Sequence, residues 1–114
     1  MKALIRKGTA DGFIVRIPPS KSLSHRALIV SALAEGSSKI IHPADNQDMK
    51  ATIRCLRQLG ALIHEEDDHC IVEGTGGKDL YDGSLIDCSE SGSTLRFLIP
   101  VFTMTGKPCM FTGQ

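Results

Sequence analysis

Pro18-Pro19-Ser20-Lys21-Ser22-Leu23-Ser24-His25-Arg26 carries charge where a helix built only for stability does not want it. From Leu23 the run LSHRALIVSALAEG reads as one helix to about Ala34, closed by Gly36, with Ser20 as its N-cap and Lys21 and Ser22 in its first turn. A helix N-terminus is already partly positive, so Lys21 and Arg26 near it oppose the macrodipole by about 0.3 to 1 kcal/mol each. An anion held between the free N–H groups and the two cations turns that conflict into attraction. Taken alone, a Lys-Ser pair at a helix start is as readily plain exposed surface. The second half of the helix, ALIVSALA, is apolar almost all round, which predicts a helix packed inside the domain with its polar first turn at an edge.

What favours an anion site is a second segment of the same kind, Asp87-Cys88-Ser89-Glu90-Ser91-Gly92-Ser93-Thr94-Leu95-Arg96-Phe97-Leu98. Small hydroxyl residues surround a glycine and run directly into an apolar helical stretch, with Arg96 one turn in. Gly92 leaves room for a ligand to approach the backbone. Read by themselves, SESGST is also a good N-cap cluster and Arg96 a surface residue. Pro100 is expected to kink or end this helix, and Gly106-Lys107-Pro108 to turn the chain into a last strand, CMFTG.

The chain has 114 residues, and 41% hydrophobic content suffices for the core of one modest domain. A formal net charge of zero argues against a general nucleic-acid or membrane-surface binder, so a basic site must be local and suited to a small anion. No stretch approaches the roughly 18 to 20 apolar residues of a membrane span, and MKALIRKGTADG lacks the apolar core of a signal peptide. A cytoplasmic location is the expectation. Cys55, Cys70, Cys88 and Cys109 form no C-x-x-C pair and read as buried free thiols rather than zinc ligands or disulfides. His25, His42, His64 and His69 lack metal-ligand spacing, so no metal site is expected.

Elsewhere, residues 2–6 and 13–17 read as short strands, and 38–42 as another. Asp45 or Asn46 caps a second helix, MKATIRCLRQLG, with Met49, Ile53, Leu56 and Leu59 as its apolar stripe and Gly60 as its stop. Asp45 and Asp48 suit capping and the helix dipole better than an acid-base or metal pair. Residues 61–64 and 69–73 flank the acidic turn EEDD as a hairpin. Gly74-Thr75-Gly76-Gly77 then reads as a flexible connector, lacking the Lys-Ser or Lys-Thr of a P-loop.

The motifs PPSKSLSHRALIVSALAEG, DNQDMKATIRCLRQLGA and SESGSTLRFLIPV, in this order and spacing, resemble the 5-enolpyruvylshikimate-3-phosphate (EPSP) synthase family over most of residues 13–105. The first motif together with SGSTLRF is highly specific; the middle one alone is weak. The resemblance implies an α/β (α+β) fold of the enolpyruvyl transferase kind, two halves each built from three βαβαββ units. The present chain then makes about one unit plus the start of a second. Residues 1–17 are expected to belong with the opposite half, and 18–114 to form part of the N-terminal half.

The family reaction transfers the carboxyvinyl group of phosphoenolpyruvate to the 5-hydroxyl of shikimate 3-phosphate, releasing phosphate, on the shikimate pathway to chorismate and the aromatic amino acids. The resemblance implies that Lys21 contacts both substrates, that Ser22 and Arg26 hold shikimate 3-phosphate, that Gly92 offers its backbone to phosphoenolpyruvate, and that Arg96 has a supporting role. It implies no metal or organic cofactor, small-molecule substrates rather than nucleic acid or membrane, and a monomer for the full-length enzyme. It also implies a much longer chain, with the acid and base groups beyond Gln114, so this N-terminal fragment is expected to be inactive alone. Glu90 stands where many relatives carry Asn, and Phe97 where many carry Pro. Two alternatives remain: a UDP-N-acetylglucosamine enolpyruvyl transferase-like enzyme, whose first motif typically has Lys-Asn where this chain has Lys21-Ser22, and a noncatalytic phosphate-ligand binding module.

Overall fold

Capping chemistry sets the ends of the first helix. In the computed structural model, which describes residues 3, 4, 12, 14 and 16–114, α1 spans Lys21–Leu33, and the Ser20 hydroxyl accepts from the Leu23 N–H at 3.4 Å. Half of the residues of the expected strands at 2–6 and 13–17 lie outside the described residues, and the described ones, 3, 4, 14, 16 and 17, form no strand. Strand β1 (Ser37–Ile41) follows, then α2 (Gln47–Gln58), and of the two possible caps it is Asn46 that accepts from the Met49 N–H at 3.1 Å. The hairpin is formed by β2 (Leu62–Glu65) and β3 (His69–Glu73). A two-residue strand β4 (Ile86–Asp87), helix α3 (Gly92–Thr103) and β5 (Phe111–Thr112) complete the order. From α1 to β3 this is the αβαββ part of the expected unit.

Strands β1, β3 and β2 make an antiparallel sheet in that order, with Ile40 opposite Cys70 and both Ser38 and Ile63 opposite Val72. Alternation puts Ile63, Cys70 and Val72 on the buried face, against Leu28 and Ala32 of α1 and Met49, Ile53 and Leu56 of α2 in one core. Strand β4 pairs in parallel with β5. This second layer is closed by Phe102 of α3, edge-on to Tyr81 at 5.0 Å and to Phe111 at 5.7 Å.

One expectation needs correction and another is narrowed. Helix α1 is not enclosed: Leu23 and Val30 are 65% and 66% exposed, and only Ser24, His25, Leu28 and Ala32 are buried. Within the described residues one face of α1 meets the sheet and α2, and the other has no layer over it. Of the two outcomes expected for Pro100, a kink or an end, the end does not occur, since α3 continues to Thr103. The ring removes the i+4 partner of the Arg96 carbonyl, and both residues stand on the exposed side of the helix.

The glycine connector is also more than flexible. Gly74 N–H donates to Gly36 O at 3.0 Å, Thr75 N–H to Ala32 O at 2.8 Å and Gly76 N–H to Ala34 O at 3.0 Å, so the exit of β3 supplies the partners that the end of α1 lacks. A Cβ on Gly74 would sit 2.1 Å from Ala34 O and 2.4 Å from Ser31 O. Gly74→Ala must push these backbones apart, and we expect it to lower stability by about 2 to 3 kcal/mol. A urea midpoint equal to that of the unsubstituted chain would show that the clamp is dispensable.

Candidate anion site

Lys21, Ser22 and Arg26 stand exposed on the first turns of α1. The Lys21 ammonium is not free: it pairs with the Asp48 carboxylate in the first turn of α2, with the side chains half and one-quarter exposed (50% and 24%). Asp45, by contrast, pairs with Lys50 of its own helix start, at 3.2 Å. Asp48 is therefore more than a dipole partner for its own helix, since it holds the one cation that the sequence singled out most strongly. Its spacing could not reveal this, because the contact joins residues 27 positions apart.

At the other segment the Ser91 hydroxyl caps α3 by accepting from the Thr94 N–H at 3.1 Å. Gly92 is the first residue of the helix and is exposed. A Cβ there would meet one Arg96 nitrogen at 3.8 Å, an ordinary contact, and Arg96 Nε donates to the Gly92 carbonyl at 3.2 Å, folding the guanidinium back over the helix start. A cavity of about 500 Å³ opens beside it, lined by Gln47, Asp48, Arg54, Ser89, Glu90, Ser91 and Gln114. Arg54 donates to Ser89 Oγ at 2.8 Å on its rim.

A buried polar seam brings the two helix starts to the two sides of α2. His25 Nδ1 of α1 lies 2.9 Å from Thr52 Oγ1 of α2, which lies 2.8 Å from Thr94 Oγ1 of α3. Thr94 Oγ1 reaches Ser91 Oγ at 2.6 Å and the Asp48 carbonyl at 3.2 Å. On the other side Ser24 Oγ accepts from Ala44 N–H and donates to Ser20 O, each at 2.9 Å, tying α1 to the loop before α2. Phe97 of α3 packs beside the His25 ring at 5.8 Å.

Sequence reasoning missed Thr52 and Thr94 and gave His25 no role of its own. One signal was available: His25, Leu28 and Ala32 share a face of α1, and Thr52 sits within the apolar stripe of α2, so both polar groups had to find buried partners.

Around the site Lys21, Arg26, Arg54 and Arg96 outnumber the carboxylates of Asp48 and Glu90, and hydroxyl and N–H donors are plentiful, which suits a small anion. Among the described residues no three His, Cys, Asp or Glu side chains are grouped to hold a metal ion. The four cysteines are free thiols; burial first, then Cys88, pushes Cys55 up to about 12, which removes thiolate chemistry there at neutral pH. The Asp68 carboxyl is held low mainly by its hydrogen bond to His69, far from the anion site.

Burial, then the charge of Lys21, lowers the His25 pKa below 6.5. The folded chain therefore prefers neutral His25, while the unfolded chain takes up a proton as pH falls below 6.5. Stability from this group is complete above that pH and is lost as pH falls through the folded value. We expect the urea midpoint to drop between pH 7 and pH 5 in the native chain and to change less in His25→Asn. Equal slopes for the two would mean that His25 titrates as if in water.

Residues 6–114 match the model of the EPSP synthase (3-phosphoshikimate 1-carboxyvinyltransferase) family. The chain belongs to this family. It is 44% identical over 104 residues to 3-phosphoshikimate 1-carboxyvinyltransferase of Clostridium botulinum (strain Alaska E43 / Type E3), covering 88% of this chain and 23% of the relative. Against the enzyme of the same name from Clostridioides difficile (strain 630) the identity is 45% over 96 residues, with 76% and 22% covered. The fold agrees with that of EPSP synthase from Acinetobacter baumannii at a TM-score of 0.74 and 25% identity, over 88% of this chain and 23% of that one. The chain thus spans about a quarter of the length of these EPSP synthase relatives, and within that quarter lie both helix starts and the seam joining them.

Proposed function

We propose that the protein to which this chain belongs transfers the carboxyvinyl group of phosphoenolpyruvate to the 5-hydroxyl of shikimate 3-phosphate and releases inorganic phosphate. It would act in the cytoplasm, in the biosynthesis of chorismate and the aromatic amino acids, as a monomer without metal or organic cofactor and without nucleic-acid partners. The observation that supports this reading, beyond family membership, is the Lys21–Asp48 pair, which joins the first turns of α1 and α2, with the Asp48 carbonyl in turn 3.2 Å from Thr94 Oγ1 of α3.

Both substrates are polyanions. Lys21 has three N–H donors, so it can keep Asp48 while sharing the other two between the substrates. Ser22 and Arg26 would hold the phosphate of shikimate 3-phosphate, the backbone of Gly92 would meet phosphoenolpyruvate, and Arg96 would support that side. In the reaction the 5-hydroxyl oxygen bonds to the central carbon of phosphoenolpyruvate and loses its proton, while the methylene carbon gains one. The tetrahedral adduct then expels phosphate, and a proton leaves the new methyl group to restore the double bond. Fixed cations stabilise the charge that develops, and orientation of two bound reactants supplies much of the rest. The acid and base groups for these transfers are proposed to come from parts of the enzyme beyond this chain, so the 114-residue chain alone should release no phosphate.

The test is a chimera in which this chain replaces the matching quarter of the Clostridium botulinum relative. It should release phosphate from phosphoenolpyruvate only when shikimate 3-phosphate is present. Each charge-assisted hydrogen bond is worth about 1.5 to 3 kcal/mol, and Lys21 serves two substrates, so Lys21→Met should cut kcat/KM by roughly a hundredfold to ten-thousandfold. Near-normal kinetics for that variant would sink the assignment of Lys21, and a folded but inactive chimera would sink the proposed activity for this chain.

A further inference from the structure

Among the described residues one buried side-chain polar atom has no hydrogen-bond partner: His25 Nε2, in a residue only 1% exposed. Buried polar atoms are nearly always paired, and this one lies at the end of the seam through Thr52, Thr94 and Ser91. Each hydroxyl in that seam has a single proton, and Thr52 Oγ1 meets only His25 Nδ1 and Thr94 Oγ1, so at Thr52 the protons run either towards His25 or away from it.

Suppose first that they run towards His25. Ser91 then donates to Thr94, Thr94 to Thr52, and Thr52 to an unprotonated Nδ1. Two faults follow. The imidazole proton is forced onto Nε2, where a buried N–H has no acceptor, and Thr94 Oγ1 faces the Asp48 carbonyl at 3.2 Å with no proton between two acceptors. Orphaned buried N–H groups are among the rarest features of folded proteins.

In the opposite direction both faults vanish. His25 Nδ1–H donates to Thr52 at 2.9 Å, Thr52 to Thr94 at 2.8 Å, and Thr94 to Ser91 at 2.6 Å with the Asp48 carbonyl as a second, longer acceptor. Only a bare lone pair is left on Nε2. Ser91 Oγ then accepts from both the Thr94 hydroxyl and the Thr94 amide, so both of its lone pairs are used. With the Thr94 proton on the nearer of its two acceptors, Ser91 at 2.6 Å rather than the Asp48 carbonyl at 3.2 Å, the Ser91 proton points away from the seam, towards Ser93 Oγ at 3.3 Å and the open ground before α3.

We propose that His25 is a positioning residue that sets the direction of this relay, from Nδ1–H through Thr52 and Thr94 to Ser91, and so turns the Ser91 proton outward at the start of α3. Ser91 thereby becomes a donor to an anion bound beside Gly92, in addition to the backbone. The direction of the relay stands on the hydrogen-bond geometry alone; the value of the outward proton rests on the anion reading above. His25 touches no substrate in this account and acts only through the hydroxyls.

The deciding measurement is the ring-nitrogen NMR spectrum of His25 in the isotope-labelled full chain at pH 7.5, without ligand. The relay requires a proton on Nδ1 and a bare Nε2, and the reverse tautomer overturns it. Thr52→Val removes the acceptor of Nδ1–H; the single tautomer should be lost and the amide signals of Ser91 to Thr94 should move, whereas Thr52→Ser should retain both. Unmoved signals at Ser91 to Thr94 in Thr52→Val would mean that the relay does not reach α3, and would also overturn the proposal. Inorganic phosphate is the probe for the anion. Its affinity, read at the same amides, should fall roughly fivefold in Thr52→Val, the size of one ordinary hydrogen bond, and recover in Thr52→Ser. A native chain with the Nδ1–H tautomer and amides blind to phosphate would contradict the anion reading while upholding the relay.

Discussion

The contact on which the arrangement depends is the 2.8 Å hydrogen bond between Thr52 and Thr94, one hydroxyl from α2 and one from α3, buried where two helices could have packed with apolar side chains. A hydroxyl pair is a demanding choice there. Left unpaired, each group costs about 1 to 3 kcal/mol, so the pair tolerates little sliding of one helix along the other. Because Thr52 also meets His25 and Thr94 also meets Ser91 and the Asp48 carbonyl, the restriction extends to the first turns of all three helices. Apolar packing would give comparable stability with far looser register.

That restriction explains how the chain tolerates charges that its helices do not want. Lys21 and Arg26 stand near the positive end of α1, and Arg96 near that of α3, with no acidic residue in the first turn of either helix. Asp48 offsets part of this by holding Lys21 from a neighbouring helix, and the Gly92 carbonyl does so for Arg96. What remains is a donor-rich surface with Arg26 and Arg96 exposed, which in the proposed function an anion completes. The apolar layers beneath it, Leu28 and Ala32 against Met49 and Leu56, and Phe102 between Tyr81 and Phe111, form the platform from which it projects.

Local signals in the sequence were enough for most of the framework. Ser20, Asn46, Gly36 and Gly60 mark helix ends by capping chemistry, and the alternation of Ile63, Cys70 and Val72 marks the hairpin. The exposure of Leu23 and Val30 was not legible, because composition cannot say how many layers pack on a helix. Strand β4 escaped notice since two residues carry no period, and its partner lies 25 positions away, Ile86 opposite Phe111. In the site, Lys21, Ser22, Arg26, Gly92 and Arg96 stood out as charge and hydroxyl clusters at helix starts. Asp48, Thr52 and Thr94 did not, because each acts through a partner on another helix, and residue spacing along one helix is silent about such contacts.

The central claim of the proposed function is that the starts of α1 and α3 are coupled through α2, so that an anion bound at one is felt at the other. It is tested most directly by following backbone amides of the labelled chain during titration with shikimate 3-phosphate. The account predicts saturable shifts at Lys21, Ser22 and Arg26, with a smaller co-saturating response at Asp48, Thr94 and Gly92 carried through the ion pair and the seam. A dispersed, folded spectrum that stays unmoved at millimolar ligand, or shifts at α1 that saturate without any response at α3, would contradict it.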